Sequence, residues 1–279
     1  MKRKRSMNNL RKHFSICVLA VATLLGGASL AFAQGYSTPQ TPLGTASDFA
    51  VLGGTNVTCT AGSVVGDVGV SPGSAVSFTD TGCTITGGRP PATDAAAVQA
   101  RADFLNTYAT LRQQTNSCVS LLGNTLAGLS LSPGVYCLDA VAKTGVLTLT
   151  GPATGVWVFL TEGALTGINF SVVMAGGGQP CNVFWAPSAA ATMTTSALKG
   201  NILAGNAIDG SITLTGGSLA GNALANVAVT ITGTSVIGCE VLSGTPPSCK
   251  DKDKKRHGHD KDRDHKHDKN NAHKGHGRE

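Results

Sequence analysis

Acid–base catalysis needs imidazoles or paired carboxylates, and this 279-residue chain offers neither where it could build a core. Residues 34–249 contain no histidine, and their nine carboxylates (Asp48, Asp67, Asp80, Asp94, Asp103, Asp139, Glu162, Asp209 and Glu240) are scattered, without the close pair that glycoside hydrolysis uses. Six of the seven histidines instead lie in 250–279, as His257-Gly-His259, His265-Lys-His267 and His273-Lys-Gly-His276. Imidazoles at that density can take up Zn, Ni or Cu, and His257, His259, His265 and His267 are the nearest to metal candidates. The lysines and arginines between them repel a cation, and the other reading is a solvated polyampholyte that aids solubility or clings to charged cell-surface polymers. The expectation is a protein that is not an enzyme, with no cofactor and no dedicated metal site.

Cysteine chemistry points to export. Residues 1–33 read as a secretory signal: Lys2 to Arg5, Arg11 and Lys12 precede an apolar run, and Ala31-Phe32-Ala33 is a small-residue cleavage site. The apolar run is nearly long enough to span a bilayer uncleaved, but its glycines and its ending fit removal, with Gln34 first in the mature chain. The expected location is extracellular or periplasmic, with no membrane association after cleavage. Seven cysteines then remain in an oxidising compartment, where disulfides persist. Proximity suggests Cys59–Cys83 and Cys118–Cys137, Cys181–Cys239 would then tie the first repeated coils to the last, and Cys249 is left over.

The formal charge of +6 misleads. Six Lys/Arg lie in the leader and eleven in 250–279, so the body carries five against nine acids. No basic patch for nucleic acid is available there.

The elements that position any site come from a repeat. Val146-Leu-Thr-Leu-Thr150, Ile212-Thr-Leu-Thr215 and Val229-Thr-Ile-Thr232 are its plainest copies, with Ile168-Asn-Phe-Ser171 and Thr192-Met-Thr194 looser ones. Asn182, Asn201 and Asn222 recur at a period near twenty, with Gly or Asn at the corners, as in the coils of a parallel β-solenoid. One segment departs from this. Over 94–113 the period changes to 3.6, with Ala97, Val98, Phe104, Leu105, Tyr108 and Leu111 on one side and Thr93 or Asp94 as cap. Such a helix must lay its stripe on the solenoid's flank or on a partner. The fold expected is mainly β, with 34–42 a linker, 43–242 the domain, and 243–279 a linker and a disordered tail unable to bury enough surface to order itself.

Alternation along a strand sorts the repeat into two faces. With Leu147, Leu149, Ile168, Phe170, Met193, Ile212, Leu214, Val229 and Ile231 inward, the outward set is Thr148, Thr150, Asn169, Ser171, Thr192, Thr194, Ser211, Thr213, Thr215, Thr230 and Thr232. Stacking would space these about 4.8 Å apart between coils and about 6.6 Å along each strand, an uncharged lattice of methyls and hydroxyls. Threonine is also simply a good β-former on an exposed sheet, and spacing alone leaves both readings open.

Leu43-Gly-Thr-Ala-Ser-Asp-Phe-Ala-Val-Leu52, Gly66-Asp-Val-Gly-Val-Ser-Pro-Gly73, Leu131-Ser-Pro-Gly-Val-Tyr-Cys137, Cys181-Asn-Val-Phe-Trp185 and Gly200-Asn-Ile-Leu-Ala204 resemble the microbial ice-binding protein family of DUF3494 type, in order and over nearly the whole body. The resemblance implies a discontinuous, right-handed parallel β-helix of triangular section with one long α-helix alongside. It also implies adsorption to ice through one flat face and adjoining loops, giving thermal hysteresis and recrystallisation inhibition. The family's loop pattern (Thr, then Ala or Gly, any residue, then Thr or Asn) occurs at Thr81-Gly-Cys-Thr84 and Thr166-Gly-Ile-Asn169. The partner expected is the ice surface, and the residues expected to meet it are Thr148, Thr150, Ser171, Thr192, Thr194, Ser211, Thr213, Thr215, Thr230 and Thr232. The competing function is a non-catalytic adhesion or polysaccharide-binding solenoid. That function would need exposed aromatic rows, whereas Trp157 and Trp185 alternate into core positions.

Overall fold

Two kinds of strand sequence build the molecule. The computed structural model describes residues 43–72, 78–89, 94–121 and 126–243, so the leader, the 34–42 linker, Cys249 and the tail histidines lie outside the described residues. Strands such as Trp157–Thr161 and Val183–Pro187 are buried at every position. Strands such as Ala228–Thr232 alternate between buried and accessible residues. A continuously apolar strand needs cover on both faces, whereas an alternating one faces solvent on one side.

Strands buried along most of their length form the first wall, with the accessible Val119–Leu121 at one edge. Asp67–Val70, Phe49–Gly53, Ala223–Ala225, Asn201–Ala204, Val183–Pro187, Trp157–Thr161, Gly134–Leu138 and Val119–Leu121 lie side by side in that order, with every pair parallel. The alternating strands form a sheet that bends into a second and a third wall: Phe78–Thr81, Asn56–Thr60, Ala228–Thr232, Ile212–Ala220, Ala191–Lys199, Leu165–Ala175, Lys143–Thr150 and Ser130–Leu131. Past the bend, Ser235–Ile237, Ser63–Val65 and Thr84–Thr86 continue the third wall. Three walls around one core make a parallel β-helix.

The bend is a column of left-handed backbone. Gly82, Ala61, Gly233, Gly216, Thr195 and Asn169 have φ of 71°, 50°, 59°, 65°, 48° and 49°, and the strand register on their N-terminal side puts them in line. Glycine takes this conformation without steric cost, which is why Gly recurs there.

Coil order in space is not chain order. The coil of Phe49–Gly53 and Asn56–Thr60 stacks on the last one, Ala223–Ala225 and Ala228–Thr232. The chain must then return to the opposite end to begin Val119–Leu121 and Ser130–Leu131. The helix Ala95–Arg112 makes that journey. Its 18 residues rise about 27 Å, most of the height of the stack at about 4.8 Å per coil.

The helix falls within the expected 94–113, but Val98, expected on its apolar side, is 51% exposed. Asp94 caps it by accepting from Ala96 N at 2.7 Å. Ala97, Ala100, Phe104 and Leu111 pack on Val135, Val158, Leu160, Phe184, Leu203 and Leu224 of the first wall, which explains why that wall is apolar on both faces. Polar ties fix the helix along its length. Arg101 bonds to Asn226, the Tyr108 hydroxyl donates to Pro187 O at 3.0 Å, and Arg112 donates to Thr161 O, Ala186 O and Glu162. A Cβ at Gly205 would lie 2.2 Å from the Tyr108 ring, so only glycine lets the helix sit this close.

Inside the coils, Phe159 stacks on Trp185 at 4.1 Å and on Tyr136 at 5.5 Å. Both tryptophans are fully buried, with indole N–H groups donating to Leu131 O and Lys199 O. Asn201 and Asn222 are also fully buried. Asn201 donates to Cys181 O and Val183 O and accepts from Asn222 N, while Asn222 accepts from Cys239 N. Asn201 and Asn222 thus form an internal ladder, whereas Asn182, the first of the period, is half-buried and donates to Ala153 O at 2.8 Å, with Phe184 in the register position beside Asn201. The three disulfides pair as expected: Cys59–Cys83, Cys118–Cys137 and Cys181–Cys239.

Candidate functional site

The second wall carries two straight rows of threonine. Register puts Thr79, Thr58, Thr230, Thr213, Thr192 and Thr166 side by side on successive coils, and Thr81, Thr60, Thr232, Thr215 and Thr194 in a parallel row that ends in Ile168. Between the rows Cys59, Ile231, Leu214 and Met193 point inward and are buried, which forces the threonines outward. The first row is mostly half-buried and the second, next to the bend, mostly exposed. Successive threonines within a row are about 4.8 Å apart and the rows about 6.6 Å apart. Neither row contains a charge. Asp80, in the terminal strand, occupies the inward position between Thr79 and Thr81 and is tied to Arg89 and to Cys83 N.

The structure divides the residues expected from the sequence. Thr192, Thr194, Thr213, Thr215, Thr230 and Thr232 stand together in the two rows. Thr148, Thr150 and Ser171 do not join them. Lys143–Thr150 and Leu165–Ala175 run on past the bend, so Val146 pairs with Ser171, Thr148 with Val173 and Thr150 with Ala175 on the third wall. Ser211 precedes its strand and heads a separate line with Ala228 and Asn56. Ile168, expected inward, is 43% exposed, because it occupies the second threonine row.

Sequence reasoning missed Thr58, Thr60 and Thr79, and reached Thr81 and Thr166 only through the family's loop pattern, not as members of these rows. The signal was present: Val57-Thr-Cys-Thr60 and Phe78-Thr-Asp-Thr81 repeat the alternation of Val229-Thr-Ile-Thr232. Their coils precede the helix in the chain yet continue the wall beyond its last coil. Of the two loop patterns, Thr81-Gly-Cys-Thr84 straddles the bend, whereas Thr166-Gly-Ile-Asn169 lies before it and reaches it only at Asn169.

The other reactive groups hold the scaffold. Asp67 accepts from Gly88 N, Asp139 holds the buried Lys143, and Glu162 holds Arg112. Asp103 accepts from Thr45 N, Thr45 Oγ1 and Gln99. Burial pushes its pKa up, but these hydrogen bonds outweigh that and leave it below the usual value. Among the described residues no group of three or more His, Cys, Asp or Glu could hold a metal ion. What the arrangement presents is an uncharged lattice of threonines backed by a buried core and a docked helix.

A family model described as Ice-binding-like matches residues 51–237. An ice-binding protein of Nostoc sp. (strain HG1) is 40% identical over 167 residues, covering 58% of this chain and 61% of that protein. Another, of Flavobacterium frigoris (strain PS1), is 31% identical over 199 residues, 60% of this chain and 66% of its own. The matched stretch thus spans less than two thirds of either relative. The crystal structure of an ice-binding protein from the Antarctic ascomycete Antarctomyces psychrotrophicus superposes with a TM-score of 0.58 at 30% identity, over 71% of this chain and 97% of that one. One from an Antarctic biological consortium gives 0.59 at 31% identity, over 71% and 90%. With the family's sequence spread across its coils and its strands stacked as in these solved relatives, the chain belongs to the ice-binding-like family.

Proposed function

We propose that this protein is exported and adsorbs to ice through the second wall, giving thermal hysteresis and inhibition of recrystallisation. The observation that carries the reading is the pair of threonine rows in unbroken register over five coils, closed at the sixth by Thr166 and Ile168. Adsorption needs no bond making. Threonine methyls exclude water from the troughs between rows, and the hydroxyls hold waters at lattice spacing that merge with the crystal. A face that is already stiff loses little entropy on binding, and the disulfides and the docked helix stiffen this one from behind.

The leader supports export, and the disulfides fit an oxidising destination. A polysaccharide platform is less well supported, because Trp157, Trp185, Tyr136 and Phe159 are interior. Nanolitre-droplet crystal growth tests the reading. Shaped crystals and a freezing gap are expected, and growth indistinguishable from buffer, together with unhindered recrystallisation, would reject it.

A further inference from the structure

The bend column contains one member that the fold does not call for. Four of its neighbours in register are Gly82, Ala61, Gly233 and Gly216, and Asn169 is a type that tolerates the left-handed region. Thr195 is β-branched and holds φ of 48°. A β-branched residue is a genuine outlier there. Its side chain repays nothing inside the molecule, being exposed and without a hydrogen bond to the described residues.

The strain is held in place from both sides. Thr194 pairs with Thr215 before the bend and Ser196 with Gly217 after it. The buried Ser196 hydroxyl donates to Thr194 O at 3.0 Å and accepts from Phe170 N at 3.2 Å. Thr234 repeats the device two coils away, donating to Thr232 O at 3.2 Å and to Gly216 O at 3.1 Å. A backbone clamped this firmly tolerates an unfavourable residue, and such residues gather at working surfaces.

The side chain lies beside the threonine rows. An added Cβ at Gly216 would meet Thr195 Cα at 3.8 Å and Thr195 Oγ1 at 3.9 Å. The Thr195 backbone and hydroxyl therefore border the ground that glycine leaves bare, next to Thr194 and Thr215. At Gly82 and Gly233 the same construction meets nothing within 4 Å, so the column is open to solvent.

We infer that Thr195 is an ice-contact residue that carries the threonine face onto the bend, retained at a cost in stability. The inference rests on the ice-binding reading above. Its signature is that stability and activity move in opposite directions. Thr195→Gly relieves the left-handed strain, partly offset by glycine's larger chain entropy, and should raise the thermal midpoint by about 2–4 °C. The same variant should lose about half of the hysteresis. Thr195→Ala sheds the β-branched part of the cost but keeps the part any L-residue carries, so it should lose activity with a smaller gain in midpoint. Unchanged or increased hysteresis in both variants overturns the inference, and so does a lower midpoint in Thr195→Gly. An inactive wild-type protein in the same droplets would instead sink the ice-binding reading on which this rests.

Discussion

Thr213→Tyr is the sharpest test of the threonine face. Thr213 stands fourth in its row of six, with Thr230 and Thr192 on the neighbouring coils. Its side chain points away from the core between the buried Ile212 and Leu214. The added ring therefore enters no packed space, and the stability change should stay within about 0.5 kcal/mol. The effect on adsorption is of another order. Removing a methyl from water is worth about 0.8 kcal/mol, so the eleven threonines of the two rows contribute roughly 9 kcal/mol before the costs of binding. A ring standing off the wall at Thr213 lifts at least Thr192, Thr194, Thr215, Thr230 and Thr232 from the ice along with its own position. That forfeits roughly 5 kcal/mol, a loss of about three orders of magnitude in the adsorption equilibrium. Urea unfolding should show an unchanged midpoint, while droplets should show unshaped crystals and no measurable freezing gap. Thr148→Tyr is the matched control, because Thr148 lies on the third wall and should keep its activity. Full activity in a folded Thr213→Tyr, or equal loss in Thr148→Tyr, would refute the assignment of the face.

Two further outcomes concern the support. Replacing both members of Cys181–Cys239, a closure of 58 residues, should cost about 4 kcal/mol, and replacing both members of Cys118–Cys137, a closure of 19, about 3 kcal/mol. Denaturant midpoints measure both, and a larger loss from the shorter loop would contradict the chain-entropy account. Asp103 sets an acid limb. Its pKa is lowered in the folded protein, so the stability it contributes is fully present above the unfolded value near about 3.9 and is lost as pH falls through the folded one. Asp103→Asn should remove part of the loss that the wild type shows below about pH 4 and leave the profile between about pH 5 and pH 7 unchanged. Identical acid limbs in the two proteins would show that the Thr45 tie contributes nothing.

Much of this architecture was legible in the residues because it rests on local alternation. The coil period, glycine at the bends and the inward-facing tryptophans each follow from chain neighbours that sit on the same or opposite sides of a strand. The helix was legible for the same reason, its 3.6 periodicity and Asp94 cap being contained in one segment. Two of the cysteine pairs were near enough in sequence for proximity to suggest them.

The site was only partly legible, because two of its determinants are long-range. Val146-Leu-Thr-Leu-Thr150 and Ile212-Thr-Leu-Thr215 are nearly the same phrase, yet one lies after the bend and the other before it. Alternation states which residues point outward but not to which wall the strand belongs, and a bend within a continuous strand leaves that to its neighbours. The order of coils was equally hidden. The coils that bring Thr58, Thr60, Thr79 and Thr81 to the face come early in the chain and are stacked beyond its last repeat. The sequence by itself determined that threonines would line an uncharged outer surface. Only the tertiary structure decided which of them share one plane, because that depends on where a helix of 18 residues sends the chain to start its second pass.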